Sequence, residues 1–258
     1  MLATVNSATL HGIDAELVQI EVNAGETGES DMVLVGLPDA TVKESKDRVS
    51  SALANSGFKP PQTRTTINLA PGHLRKEGPI YDLPIALGLL AATNNLNSDR
   101  FDDYLIAGEL GLSGVTRPVR GALAIAQLAR SLGKKGVLLL AGSAEQTALL
   151  PNLEVHCVDS LDQAFRFLSG QISLPLAQPI STEINSRSSG DFSEVKGQAA
   201  VRRAIEVAVA GAGGHNILMI GPSSSGKSMI AQRVPSIMPP ATTDEALEIL
   251  SVQSIAAN

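Results

Sequence analysis

Eight consecutive residues, 221–228, carry the strongest chemical signal in the sequence. They read GPSSSGKS and match G-x-x-x-x-G-K-[ST], the pattern of a phosphate-binding loop. Gly221 and Gly226 permit backbone angles that turn successive N–H groups toward phosphate oxygens. Lys227 supplies a positive charge for the β- and γ-phosphates, and the Ser228 hydroxyl is an oxygen ligand suited to Mg²⁺. The pattern therefore predicts a site for ATP and Mg²⁺.

The context of this loop supports the same interpretation. An apolar strand is predicted for residues 216–220 before the loop, and the segment SMIAQRV after it has helical spacing. A Gly- and Ser-rich turn that matches by chance is the alternative, which this context disfavours. The predicted nucleotide-binding residues are Gly221, Pro222, Ser223, Ser224, Ser225, Gly226, Lys227, Ser228 and Met229.

Hydrolysis would need more than this loop. A P-loop ATPase also uses an acidic residue at the end of another strand to hold Mg²⁺ and orient water. Residues 229–258 contain no apolar strand that ends in Asp, and Asp244, Glu245 and Glu248 fit the solvated face of a helix. The catalytic residues are therefore unassigned, and we expect the ATPase domain to continue past Asn258.

Other chemistry has little support in the sequence. The single cysteine, Cys157, cannot form an internal disulfide and makes a structural zinc site improbable, and the four histidines lack the spacing of metal ligands. A net charge of −6 argues against capture of nucleic acid by the whole surface, but it leaves a local basic channel open. The sequence shows no long apolar run and no secretion signal, so we predict a cytoplasmic protein with no membrane segment.

The predicted elements divide the 258 residues into two domains. Strands and helices alternate over residues 1–170, residues 171–190 form a Pro- and Ser-rich linker or a strap lying on a neighbour, and residues 191–258 form a second domain. The predicted strands are 16–22, 32–36, 65–70, a hairpin of 104–110 with 115–119, 137–140 and 154–158. The predicted helices are 41–55 with a Thr41 and Glu44 capping box, one capped by Asp82, 121–132, 160–168 capped by Ser160, and 198–210.

Long ordered motifs give the chain a resemblance to a known family. The chain resembles the amino-terminal half of ComM/YifB proteins, which belong to the Mg-chelatase-like AAA+ ATPases. The motifs are VNSATLHGIDAELVQIEV, VGLPDATVKES, INLAPGHLRKEGPIYDLPIALGLLAA, AGELGLSGVTRPVRG and FSEVKGQAAVRRAIEVAVAGAGGHNILMIGPSSSGKSMIAQRVPSIMPP. The family usually carries PPGSGKT-like residues in its loop, so Ser224 replaces a glycine, and we expect weaker but surviving binding.

The resemblance implies a fold and further site residues. It implies the α/β class, with an α+β Lon-protease-like domain (ribosomal S5 domain 2-like) followed by the start of a P-loop AAA+ domain. It also implies that Val195, Gly197 and Gln198 help to shape an adenine pocket. The Walker B acidic residues, the sensors and the arginine finger would lie beyond Asn258. The full protein is expected to be a homohexamer.

The Lon-like domain is expected to lack peptidase activity. In Lon-type proteases a Ser nucleophile follows a PKDGP-type turn, but here the turn of residues 75–79 reads RKEGP and is followed by Ile80. Leu123 stands where the resemblance places the activating Lys. An apolar side chain can neither attack a carbonyl nor accept a proton, so both halves of the dyad are missing. Ser113 with Lys76 is a conceivable substitute that the sequence does not bring together.

Three functions remain open from the sequence. The resemblance to ComM implies an ATP-driven motor that unwinds or branch-migrates DNA during recombination or natural transformation. The Mg-chelatase-like subgroup suggests instead a motor that remodels a protein partner. The third possibility is a nonenzymatic nucleotide-binding module.

Overall fold

A computed structural model describes residues 1–26, 31–93, 95–96, 99–179, 190–210, 215–239 and 241–256. They group into two compact units, one of Met1–Ile180 with Leu247–Asn258 and one of Ser181–Ala246. The strands are β1 (Leu2–His11), β2 (Asp14–Glu26), β3 (Met32–Val35), β4 (Arg64–Ala70), β5 (Tyr104–Ile106), β6 (Glu109–Leu110), β7 (Thr116–Arg117), β8 (Gly136–Leu139) and β9 (Glu154–Cys157). The helices are α1 (Ala40–Asn55), α2 (Asp82–Ala92), α3 (Ala122–Ser131), α4 (Ala141–Thr147), α5 (Leu161–Leu168), α6 (Ala199–Ala210), α7 (Lys227–Arg233) and α8 (Thr243–Ala256). This mixture confirms the α/β class.

The first unit contains a four-stranded sheet in the order β1-β2-β4-β3. Strands β1, β2 and β4 pair antiparallel, whereas β3 pairs with β4 in parallel and forms one edge. The alternation in β2 explains its orientation, because Val18, Ile20 and Val22 point to one face and are completely buried. The sheet therefore has one face in the core, as the sequence pattern predicts.

A second sheet and a buried helix complete this core. Strands β5, β8 and β9 form a parallel three-stranded sheet, and β6 pairs with β7 in a short hairpin. Every residue of α2 is buried, which explains why its sequence, DLPIALGLLAA, is apolar on all sides. The hairpin predicted for residues 104–110 and 115–119 is confirmed only next to its turn, where β6 pairs with β7. Its first predicted strand divides into β5 and β6, and β5 pairs with β8 instead.

Two of the predicted helix caps are wrong and one is confirmed. Helix α1 is capped by Asp39, whose Oδ1 accepts a hydrogen bond from the Val42 amide at 2.7 Å, so Thr41 lies inside the helix. Asp82 lies in the first turn of α2 but makes no cap hydrogen bond, because its carboxylate binds a side chain of α1. Ser160 caps α5 and accepts from the Gln163 amide.

The segment after α5 packs on the first unit. Ile172, Leu174 and Ala177 lie against its core, and the Ala177 amide donates to the Val155 carbonyl at 2.8 Å. Part of the predicted linker, residues 171–179, is therefore a strap on the first unit, while residues 180–189 lie outside the described residues.

The end of α8 also belongs to the first unit. Leu247 is buried in the core of that unit, and Gln127 of α3 donates to the Ser251 hydroxyl at 3.2 Å. The compact units differ here from the predicted domains, which assign residues 247–258 to the second domain. None of the helices in the described part of the chain has the length and apolar character that crossing a membrane requires.

The second unit has a small core of its own. Phe192, Val195, Ile205 and Ile230 are buried together and bring α6 and α7 into one cluster. The strand predicted for residues 216–220 is wrong, since no strand is formed there. Strand formation requires a neighbouring strand to pair with, and the described residues of this unit contain none.

Candidate functional site

The predicted phosphate loop leads directly into α7. Gly226 precedes the helix with φ of 86°, and Ser224 has φ of 62°, so both residues adopt the left-handed backbone region. Glycine enters this region freely, whereas a residue with a side chain is strained there. The loop geometry therefore requires the glycine at position 226 and explains why Ser224 is a less favourable choice than glycine.

The ammonium group of Lys227 is held against the loop. Its Nζ donates to the carbonyl oxygens of Gly221 at 2.9 Å and Pro222 at 2.8 Å, and to the Ser225 hydroxyl at 3.2 Å. These three acceptors use the full donor capacity of a lysine. The positive charge is thus fixed at the loop without an ion pair to any carboxylate in the described residues.

The loop is tightly folded at Gly221, whereas the residues after Lys227 are exposed. A Cβ atom at Gly221 would lie 3.2 Å from the Ser225 Oγ, so a larger residue would crowd the folded-back loop. Ser228 and Met229 are exposed at the start of α7. The Ser228 hydroxyl is therefore accessible, as a ligand of a nucleotide-bound Mg²⁺ has to be.

The segment predicted to shape an adenine pocket reaches the loop through one side chain. Gln198 Nε2 donates to the Ser225 carbonyl at 3.0 Å, and the Gln198 backbone has a positive φ of 48°. Gly197 also has a positive φ and is exposed, whereas Val195 is completely buried in the small core. The structure brings Gln198 to the loop, and adenine binding by this segment stays a prediction.

An ion pair between α7 and the segment before α6 was not predicted from the sequence. Arg233, at the end of α7, donates to the Glu194 carboxylate from Nε at 3.0 Å and from Nη2 at 2.7 Å. The hydrogen bond from Arg233 lowers the pKa of Glu194. The Phe192 amide also donates to the Ser236 hydroxyl at 2.9 Å. These bonds fasten the segment before α6 to the helix that carries Lys227.

An apolar cavity lies in the same unit. Its volume is about 500 Å³, and residues of α6 and α7 line it together with His215, Met219 and Met238. His215 therefore faces an apolar space beside the segment that leads to the loop. The Gly-rich residues 211–214, which the sequence predicts to end α6, lie outside the described residues.

The positions that the sequence resemblance assigns to a Lon-type dyad are apolar and buried. Ile80 is 8% exposed and Leu123 is completely buried, and both belong to the core of the first unit. Lys76 is also completely buried, and its ammonium donates to the carbonyl oxygens of Pro71 and Leu74. Burial lowers the pKa of Lys76. Ser113 lies on an exposed turn, and no contact joins it to Lys76 among the hydrogen bonds of the described residues.

Two family models match the chain. The model described as subunit ChlI of Mg-chelatase matches residues 19–142, and the model described as magnesium chelatase, subunit ChlI, matches residues 191–258. The second match contains the complete phosphate loop together with Gln198 and Arg233. The two matched segments fall on the two predicted domains.

Known relatives are similar along nearly the whole chain. Competence protein ComM of Haemophilus influenzae is 40% identical over 261 residues, covering 100% of this chain and 50% of that protein. YifB of Escherichia coli, described as uncharacterized, is 38% identical over 98% of this chain and 49% of its own length. An uncharacterized protein of Mycobacterium bovis is also 38% identical, over 97% of this chain and 49% of its own length. The chain thus spans about half the length of the curated relatives that it matches. On this similarity and the two ChlI matches, the chain belongs to the ComM/YifB family of Mg-chelatase-like proteins.

Proposed function

We propose that residues 221–229 bind ATP together with Mg²⁺. The observation that carries this proposal is the position of Lys227, whose ammonium is held at the loop by the carbonyl oxygens of Gly221 and Pro222. Triphosphate oxygens are stronger acceptors for an ammonium than neutral carbonyl oxygens are. We therefore expect Lys227 to exchange these carbonyl oxygens for the phosphate oxygens of a bound nucleotide.

The residues present fit this ligand. Gly221 and Gly226 allow the close turn, Lys227 provides the charge, and the exposed Ser228 hydroxyl would help to hold Mg²⁺. When bound, Mg²⁺ would neutralise phosphate charge. Family membership supports nucleotide and Mg²⁺ use and an AAA+-type ATPase, and it favours assembly into an oligomer.

For the whole protein we propose an ATP-driven motor that acts on DNA. The support is the similarity to a protein named for competence, ComM of Haemophilus influenzae, over the whole of this chain. Branch migration or unwinding by a homohexamer in the cytoplasm would suit such a role. The catalytic acidic residues and the arginine finger would come from the remaining half of the protein.

The second candidate is a motor that remodels a protein partner in the manner of a chelatase subunit. Both family models are described as subunit ChlI of magnesium chelatase, and this description supports the second candidate. The two candidates share the nucleotide site and differ in what the motor acts on.

Nucleotide binding is tested by titrating the chain with ATP and Mg²⁺ in a calorimeter. We expect saturable heat, and we expect Lys227→Ala to weaken binding at least about tenfold, since it removes charge-assisted hydrogen bonds. Arg203→Ala is the matched control, because Arg203 is exposed in the same unit and its ion pair is with Glu206 of α6. Absence of heat with the unaltered chain would refute the proposed site.

The macromolecular substrate is tested with the full-length protein. Strand separation of a forked or four-way DNA that depends on ATP and is lost in Lys227→Ala would support the DNA motor. ATP hydrolysis that DNA does not stimulate, with no strand separation, would contradict it and favour the protein-remodelling alternative.

A further inference from the structure

A second cavity, of about 550 Å³, lies in the first unit beside the turn of residues 75–79, which by sequence resemblance corresponds to the PKDGP-type turn of Lon proteases. This volume is within the range of small-ligand and side-chain pockets. The turn of residues 77–80 forms one wall, the start of α1 forms another, and β6 and the end of β1 close the rest. The lining residues are Thr9, Leu10, Asp39, Thr41, Glu77, Gly78, Pro79, Ile80, Glu109, Pro118, Val119 and Arg120.

Backbone hydrogen bonds hold the walls of this cavity together. The Asp39 amide donates to the Lys76 carbonyl at 3.0 Å, and the Lys76 amide donates to the Leu37 carbonyl at 3.2 Å. The Gly78 amide donates to the Asp39 carboxylate at 3.2 Å. The Lys76 ammonium donates to the carbonyl oxygens of Pro71 and Leu74. The cavity is therefore built into the fold before any ligand arrives.

The charged side chains that line the cavity are mainly negative. Asp39, Glu77 and Glu109 line it, against one lining cation, Arg120. Glu77 and Glu109 each pair with an arginine that does not line the cavity, and the side chains of these arginines are 74% and 63% exposed. Exposed ion pairs are weak, so both carboxylates retain attraction for a further cation.

The hydroxyl of Tyr81, the residue after Ile80, has no hydrogen-bond partner. Tyr81 is completely buried, and its Oη makes no hydrogen bond. Thr9 lies beside it, but the Thr9 hydroxyl donates to the Arg75 carbonyl at 3.4 Å, and no bond of acceptable geometry joins the two hydroxyls. Burial, with the charges of Asp39 and Glu77, raises the pKa of Tyr81 to about 12. Tyr81 directly follows the lining residue Ile80, but it belongs to the core of the first unit and does not itself line the cavity.

We propose that this cavity binds a lysine or arginine side chain presented by a peptide segment of a partner protein. The carboxylates of Glu77 and Glu109 receive the cationic end. The apolar side chains of Leu10, Ile80 and Val119 contact the aliphatic stem.

A peptide fits the surroundings better than a free amine. Strand β3 is the edge of its sheet and leads through residues 36–38 into Asp39, which lines the cavity. Val35 and Leu37 are exposed along this edge. Edge strands offer unpaired backbone groups and alternate side-chain positions to an extended peptide.

The test is fluorescence polarisation with a labelled peptide, Gly-Val-Thr-Val-Arg-Val-Thr-Val-Gly, and the 258-residue chain without nucleotide. Replacing the central Arg by Glu should weaken binding at least about tenfold, and high salt should weaken the binding of the Arg peptide. L-Arginine amide is the competitor that represents a free amine. Equal affinity for the Arg and Glu peptides would overturn the proposal, and so would displacement of the peptide by an equal concentration of L-arginine amide.

Variants of the chain locate the binding site. Glu77→Gln combined with Glu109→Gln should weaken the Arg peptide at least about tenfold, whereas Glu145→Gln with Glu206→Gln changes the same total charge outside the cavity and should have no such effect. Thr41→Trp fills the cavity without changing its charge and should also abolish binding. Unchanged binding in the first double variant or in Thr41→Trp would refute the site, with thermal unfolding confirming that each variant is folded.

Discussion

The ion pair between Arg48 of α1 and Asp82 of α2 gives the sharpest test of how the first unit is held together. Arg48 donates to both carboxylate oxygens of Asp82, at 2.8 and 3.0 Å, and also to the Ser45 hydroxyl and the Thr41 carbonyl. Asp82 is completely buried and accepts one further bond from the Leu110 amide. Replacing Arg48 by Met keeps an apolar stem in place but leaves this carboxylate unpaired.

The size of the effect follows from the burial of Asp82. Removing one partner of a buried pair destabilises a protein by about 3–5 kcal/mol, because the remaining charge has lost both its counterion and its water. For a unit of this size, 1 kcal/mol shifts the midpoint of thermal unfolding by roughly 2–4 °C. We therefore expect Arg48→Met to lower the midpoint by about 6–20 °C.

Circular dichroism during heating measures this shift. The exposed pair of Arg166 with Asp162 on α5 is the matched control, and Arg166→Met should change the stability by less than about 0.5 kcal/mol. Adding Asp82→Asn to Arg48→Met should recover part of the loss, since no charge is then buried. A loss below about 1 kcal/mol for Arg48→Met, or additive losses in the double variant, would show that the pair does not act as reasoned.

Three further outcomes are expected. Ser224→Gly should stabilise the chain by about 0.5–1 kcal/mol in urea unfolding, because it removes net strain at a positive φ, while Ser223→Gly, whose φ is not positive, should give no gain. The folded chain keeps the Tyr81 proton between pH 10.0 and about 12 while the unfolded chain loses it, so stability should fall as pH rises through that range. Urea unfolding of Tyr81→Phe should lack this fall. Glu194→Arg and Arg233→Glu should each weaken nucleotide binding, and the charge-exchanged double variant should recover part of the affinity if the pair positions α7.

Local patterns made much of the first unit predictable. The alternation in residues 16–22 depends only on neighbours in the chain, and the structure places Val18, Ile20 and Val22 in the core as expected. The Ser160 cap was predictable for the same reason, because the hydroxyl and the amide that it accepts from are three residues apart. The error at α1 was also local, since Asp39 lies two residues before the predicted Thr41 and is the better placed acceptor.

Contacts between distant residues could not be predicted in this way. Arg48 and Asp82 are 34 residues apart, and Glu194 and Arg233 are 39 apart, so no periodicity connects them. The strand predicted for residues 216–220 was wrong for a different reason. Its apolar composition favours a strand, yet Leu218 and Ile220 are 83% and 87% exposed, because strand formation depends on a paired neighbour rather than on composition.

The two sites differ in what the sequence revealed about them. At the nucleotide loop the residue types themselves define the chemistry, so the motif identified the site and the structure added the positive φ of Ser224 and the partners of Lys227. At the cavity of the first unit, the RKEGP turn predicted only that the protease dyad is absent. The charged lining comes from Glu77 and Glu109, which meet only in the folded chain. Arg48, which donates to Thr41 and Asp82, does not line this cavity and does not supply its charge. Neutralising the two glutamates should therefore weaken peptide binding at least about tenfold at unchanged stability, whereas Arg48→Met should lower the stability of the chain.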